Sequence, residues 1–196
     1  MGFLKRSFAV FVVAFPVISL AGEDKIQTYF DALPAEIDNA HFRSMSIRQG
    51  AISQKKMPDR TQPKEQRAAA GSLTYLQISY VGSSNAGWEY VEGYPVATNL
   101  DHGGPLLRII TDELGYGGNP VPLFNGGTWP LTSNYYTQPI CVDAYGYYTL
   151  SCSAGQSIAG WRKYWSLDGY QNGWFSYQNT STNSPWNTMS DSMNIR

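Results

Sequence analysis

Apolar and polar residues alternate along several segments of the chain, and this two-residue period is typical of β-strands. The segment 73–81 places Leu76, Ile78 and Tyr80 on one side of a predicted strand. Three further segments have the same strand-like composition: residues 88–92, 159–167 and 174–179. Asp168-Gly169 and Asn172-Gly173 lie between the last two segments, and such turn dipeptides predict a hairpin there.

One segment within this β-rich region has a helical pattern instead. Pro105 stands where a first helical residue is favoured, and Gly115 stands where a helix commonly ends. Four apolar residues recur between them at helical spacing: Leu106, Leu107, Ile110 and Leu114. We therefore predict an α-helix over 105–114 that covers a sheet. The predicted fold class is mainly β, either a β-sandwich or a curved antiparallel sheet with this one helix.

The first 21 residues have the pattern of a cleavable export signal. Lys5 and Arg6 precede the apolar run 8–20, and small residues end the segment at 19–21. A membrane anchor is the alternative, but a run of about 13 residues is short of the roughly 20 that span a bilayer. Export predicts a secreted or periplasmic protein with no membrane span after signal cleavage.

Composition divides the rest of the 196-residue chain into two parts. Residues 22–71 are rich in charge, and 54–67 contain two prolines and few large apolar side chains. Such a segment buries too little surface to offset its ordering entropy, which indicates a flexible extension or a propeptide. Residues 72–196 contain all six tryptophans and form the predicted globular domain.

The chain has two cysteines, Cys141 and Cys152. In an exported protein, two cysteines separated by a short segment that includes Gly146 predict one structural disulfide across a hairpin or loop. A catalytic thiolate or a metal site would need a different arrangement of ligands. We predict no metal and no cofactor.

The segment 99–105 is the candidate for chemistry. His102 precedes the predicted helix, where free N–H groups favour anions, and two glycines beside it would let a ligand approach the backbone. Asp101 could orient His102 as a general base. The alternative is that Asp101 or Asn99 caps a turn and that His102 makes a loop hydrogen bond.

Aromatic and uncharged polar residues supply a second signal. The chain contains 14 tyrosines and six tryptophans beside many Asn, Gln, Ser and Thr residues. Aromatic rings stack on the C–H faces of sugars while amides and hydroxyls bond the sugar hydroxyls. Strand and turn propensities could produce the same composition. The predicted ligand-binding face consists of five residues: Trp161, Trp165, Trp174, Tyr177 and Trp186.

Five segments carry a resemblance to a known family: 73–81, 87–89, 99–105, 160–165 and 177–187. Over roughly 72–196 the chain resembles the YolA-like family of small exported bacterial proteins, a domain of unknown function. The resemblance implies an exported bacterial protein of one domain. It implies no catalytic or binding residues.

Three functions fit these observations. We expect non-enzymatic binding of a glycan or another envelope component, with a hydrolase of an envelope or extracellular polymer based on His102 as the first alternative. A secreted protein-interaction or competition factor is the second alternative. The net charge of −1 and the lack of a basic run argue against nucleic acid as a partner. The oligomeric state is left open.

Overall fold

The computed structural model describes residues 71–91 and 93–196, so the predicted signal peptide and almost all of the charged extension lie outside the described residues. Ten strands follow one another in the described part: β1 (Tyr75–Ser83), β2 (Gly87–Tyr90), β3 (Leu107–Leu114), β4 (Val121–Phe124), β5 (Gly127–Thr128), β6 (Asn134–Val142), β7 (Tyr148–Thr149), β8 (Ile158–Ser166), β9 (Gly173–Thr180) and β10 (Thr188–Ile195). A 3₁₀ turn, Leu131–Ser133, precedes β6.

The strands form two antiparallel sheets. The six-stranded sheet has the order β2-β1-β3-β8-β6-β7, and the four-stranded sheet has the order β10-β9-β4-β5. The antiparallel strands curl into a half-barrel. This confirms the predicted mainly β class with a curved antiparallel sheet.

The predicted covering helix over 105–114 is wrong, because residues 107–114 form the strand β3. β3 lies between β1 and β8, and every one of its residues is buried. A strand that is covered on both faces carries apolar residues at both odd and even positions. The sequence of β3 therefore shows no alternation of polar and apolar residues, and its apolar residues match helical spacing by coincidence.

The predicted hairpin between 159–167 and 174–179 is also wrong, although both segments are strands. β8 pairs with β3 and β6, whereas β9 pairs with β4 and β10. The turn residues 168–172 therefore carry the chain from one sheet to the other. The two strands predicted at the start of the domain, 73–81 and 88–92, do form, and β1 pairs with β2.

The main core lies between the inner faces of the two sheets. In β9, Phe175, Tyr177 and Asn179 are buried while the residues between them are more exposed, so the strand has one inner and one outer face. The six-stranded sheet contributes Ile109 and Trp165 to the same core. In the described part of the chain, the side chains on the outer face of the four-stranded sheet are half-buried or exposed.

The predicted disulfide between Cys141 and Cys152 is confirmed, with their Cα atoms 5.5 Å apart. Cys141 lies in β6, and Cys152 follows β7, which pairs with β6. Stable disulfides are typical of oxidising compartments, so the bond is consistent with export. No helix among the described residues is long and apolar enough to cross a membrane.

Reduction of this disulfide is expected to lower the free energy of unfolding by about 2–3 kcal/mol, because it restores the freedom of a short closed loop in the unfolded chain. Thermal unfolding with and without reductant measures the change. A variant in which Cys141 and Cys152 are both alanine is the control, since reductant should not shift its melting temperature. An unchanged melting temperature for the unmodified protein would contradict the prediction.

Candidate functional site

His102 is completely buried beside β1 and β2, and both of its ring nitrogens have partners. Nε2 lies 3.0 Å from Oε2 of Glu89, and Nδ1 lies 3.2 Å from Oγ of Ser83. Ser83 is also fully buried, and Glu89 is nearly so. The three residues have the composition of a hydrolytic triad, but the serine hydroxyl and the imidazole are both buried.

Glu89 joins the loop that follows β2 to the sheet. Its Oε1 accepts a hydrogen bond from the backbone N–H of Asn99 at 2.7 Å, and its Oε2 accepts one from Leu100 at 2.9 Å. Burial alone would raise the pKa of Glu89, but these hydrogen bonds and His102 outweigh it and leave the pKa below its usual value. The carboxylate thus holds the loop in place.

Asp101 does not form the predicted pair with His102. Its carboxylate accepts a hydrogen bond from the N–H of Gly103, within the same loop. The carboxylate that contacts His102 is that of Glu89 instead. The sequence did not predict this contact because Glu89 lies on β2, away from the loop that contains His102. The predicted anion site at a helix N-terminus is also wrong, since Leu107 begins a strand.

Gly104 is explained by packing within the loop. Its φ is +103°, and a Cβ atom there would lie 2.2 Å from Oγ of Ser84. A side chain at this position would therefore clash with the turn that joins β1 and β2. The glycine that suggested close approach of a ligand instead permits close approach of the chain to itself.

The five residues of the predicted ligand-binding face do not share one surface. Trp165 and Tyr177 are buried in the core between the sheets, with ring centroids 5.3 Å apart. Trp161 is half-buried on β8. Trp174 lies on the outer side of β9 and is 43% exposed, and Trp186 is 64% exposed in the loop between β9 and β10. Of the predicted face, only Trp174 lies on the open side of a sheet.

Trp174 belongs to the outer surface of the four-stranded sheet, which we call the polar face. Strand register and the alternation of exposure place eleven side chains on it: Val121, Leu123, Thr128, Trp174, Ser176, Gln178, Thr180, Thr188, Ser190, Ser192 and Asn194. None of these eleven residues carries a charge. The polar face therefore combines hydroxyls and amides with a few apolar side chains.

Cross-strand pairs organise the hydroxyl groups of the polar face. Thr180 of β9 lies opposite Thr188 of β10, and their hydroxyls form a hydrogen bond of 2.8 Å. Ser192 lies opposite Ser176, which in turn lies opposite Leu123 of β4. Residues opposite one another on a sheet present their side chains side by side, so the polar groups of β9 and β10 adjoin the apolar side chains of β4.

A second group of exposed rings lies on the six-stranded sheet. Tyr136 and Tyr164 have ring centroids 5.3 Å apart, and Tyr135 lies near them. The guanidinium of Arg108 sits over the ring of Tyr135 at 4.6 Å. Sequence reasoning missed this tyrosine cluster (Tyr135, Tyr136 and Tyr164) because its members come from strands that meet only in the fold.

Comparison with known proteins identifies the family and gives no function. The comparison with curated proteins found no match. Nothing confirms the finer YolA-like assignment. The family described as Domain of unknown function (DUF4879) matches residues 63–195, more than half of the chain, and the protein therefore belongs to this family of uncharacterised domains.

Proposed function

We propose that this protein binds a glycan without catalysing a reaction, outside the cytoplasm, and that the polar face is the binding surface. The observation that carries the proposal is an open sheet surface with an exposed tryptophan and no charged side chain among its eleven residues. Neutral sugars offer hydroxyl groups and apolar C–H faces, and this surface offers groups of both kinds.

The apolar members of the polar face support stacking. Trp174 is exposed at one end of β9, and Val121 and Leu123 are half-buried on β4. A sugar ring placed on Trp174 would have Asn194 beside it, because Asn194 lies opposite Trp174 in the register. Gln178 lies opposite Ser190 further along the sheet, and the two side chains could bond the hydroxyls of a second sugar.

The alternative of a hydrolase based on His102 has less support. General base catalysis requires a ring nitrogen within hydrogen-bond reach of the reacting group. The two nitrogens of His102 contact Glu89 and Ser83, and the ring is completely buried. These contacts explain His102 as part of the structure that holds the loop 97–103.

Substitution of Trp174 by alanine is expected to weaken glycan binding by at least about tenfold, since truncating an aromatic side chain that anchors a ligand can cost more than about 1.4 kcal/mol of binding free energy. Because the ring is half-exposed on the outside of the sheet, the fold should remain intact. A glycan array identifies the ligand, and titration of that ligand against both proteins measures the change.

Tyr136→Ala is the matched control, because Tyr136 is a comparably exposed ring on the other sheet. It should bind the same glycan with unchanged affinity. The proposal fails if no glycan is bound, a result that would favour the secreted interaction or competition factor. It also fails if Tyr136→Ala loses binding while Trp174→Ala retains it, since the tyrosine cluster would then be the binding surface.

A further inference from the structure

Three side chains with complementary chemistry meet in the interior between the two sheets. Nζ of Lys163 lies 2.7 Å from Oε1 of Glu113, and Nδ2 of Asn179 donates a hydrogen bond of 2.8 Å to the other oxygen, Oε2. Glu113 and Asn179 are almost completely inaccessible, and the side chain of Lys163 is only 13% exposed. One carboxylate therefore contacts both an amine and a primary amide in a site with little water.

The carbonyl oxygen of the same amide is held by two backbone donors. Oδ1 of Asn179 accepts hydrogen bonds from the N–H of Asn119 at 3.0 Å and from the N–H of Thr180 at 2.9 Å. Backbone N–H groups that already point at a carbonyl oxygen stabilise the negative charge that develops on it during nucleophilic attack. The amide of Asn179 is thus polarised by the fold.

The hydroxyl of Tyr177 contacts both the amine of Lys163 and the amide of Asn179. It lies 2.9 Å from Nζ of Lys163 and 3.5 Å from Nδ2 of Asn179, and it donates a hydrogen bond to Glu113 at 3.1 Å. Burial and the adjacent carboxylate raise the pKa of Tyr177, so the phenol stays protonated. Both reacting groups therefore contact the same two side chains.

We propose that Lys163 and Asn179 react to form an intramolecular amide bond, with Glu113 as the catalytic acid and base. A bond between these residues would join β8 of the six-stranded sheet to β9 of the four-stranded sheet covalently. The reaction needs no oxidant, cofactor or added reactant, because it is the exchange of one amine for another on the same carbonyl carbon.

The protons and electrons of this reaction balance as follows. Glu113 accepts a proton from the ammonium of Lys163, and the lone pair of the neutral amine attacks Cγ of Asn179. The oxyanion forms at Oδ1, where the two backbone N–H groups hold it. Glu113 returns its proton to Nδ2 and accepts the second proton from Nζ. The bond between Cγ and Nδ2 then breaks, ammonia leaves and takes up that proton, and Glu113 is again a carboxylate.

Proximity is what makes an otherwise unreactive pair reactive. Amines do not displace ammonia from ordinary amides in water, but a fixed orientation of the two groups in one site lowers the barrier to this reaction. The reaction would occur once in each molecule, after the sheets have packed.

Peptide mapping of the purified full-length protein tests the proposal. No Lys or Arg lies between 164 and 195, so trypsin should release peptide 163–196 with Lys163 uncleaved and with the mass of one ammonia missing. Cyclisation at Asn172-Gly173 would remove ammonia from the same peptide. Chymotrypsin separates the two cases, because only the proposed bond yields a branched peptide that contains both Lys163 and Asn179.

Two variants test the assigned roles. Glu113→Gln should abolish the branched peptide because it removes the acid–base group, and Lys163→Arg should abolish it because arginine has no primary amine. Asn172→Ala is the control, since it alters an exposed asparagine outside the interior cluster and should retain the bond. Release of unmodified peptide 164–196 as the main product from the unaltered protein would overturn the proposal. Persistence of the branched peptide in Glu113→Gln would overturn the role of Glu113.

Discussion

Replacement of Asp112 by alanine is expected to lower the free energy of unfolding by about 3–5 kcal/mol, because it removes one partner of a completely buried ion pair with an arginine. Asp112 and Arg162 are both completely inaccessible and lie opposite one another on β3 and β8. Nε of Arg162 donates to Oδ1 at 2.7 Å and Nη2 donates to Oδ2 at 2.9 Å. Ser79 also donates to Oδ2, at 2.6 Å.

Urea unfolding of the variant measures this loss, and Asp168→Ala is its matched control. Asp168 pairs with Arg108 at 2.8 Å, but its side chain is 33% exposed. Exposed ion pairs contribute about 0–1 kcal/mol, so the control should lose much less stability. Equal losses for the two variants would show that burial does not determine how much the Asp112–Arg162 pair contributes to the free energy of unfolding.

Buried ion pairs also explain why the sequence pattern of β3 was interpreted as a helix. Asp112 and Glu113 resemble solvated residues at the end of a helix, but each is buried against a cation on β8. These cations are about 50 residues away along the chain, beyond the reach of any local pattern. The run Ile109-Ile110-Thr111 was the available signal, since consecutive β-branched residues favour a strand.

The predicted ligand-binding face was partly recoverable from alternation alone. In 174–180 the rings of Phe175 and Tyr177 stand at odd positions and face one side of a strand, while Ser176 and Gln178 stand at even positions and face the other side. This pattern places Tyr177 inside and Trp174 outside, as the structure does. For Trp165 the register is the deciding information, because it lies opposite Ile109 in the fully buried strand β3. That pairing depends on two strands distant in the sequence.

The interior cluster of Lys163, Glu113 and Asn179 could not be predicted from the sequence. Each residue type is ordinarily exposed, and the three lie on β8, β3 and β9, of which the first two belong to one sheet and the third to the other. Lysine in the alternating segment 159–167 indicates a solvated position as readily as an interior one. Only the packing of one sheet on the other brings the amine and the amide to the same carboxylate.

Substitution of Trp165 by alanine is expected to lower the free energy of unfolding by about 3–5 kcal/mol, the usual cost of removing a buried indole. The ring lies in the core beside Tyr177, and its Nε1 donates a hydrogen bond of 2.9 Å to the hydroxyl of Thr111. Trp174→Ala should change stability by less than about 0.5 kcal/mol, because its ring is on the surface. Urea unfolding of the two variants compares the core with the polar face directly.

Trp165→Phe separates the packing of the ring from its hydrogen bond. Phenylalanine retains much of the buried volume but cannot donate to Thr111. The free energy of unfolding should therefore fall less in Trp165→Phe than in Trp165→Ala. In buffer without urea, where each protein is folded, Trp165→Ala should bind the glycan as tightly as the unaltered protein, whereas Trp174→Ala should bind it more weakly. A Trp165→Ala variant that is stable but unable to bind would instead place Trp165 in the binding surface.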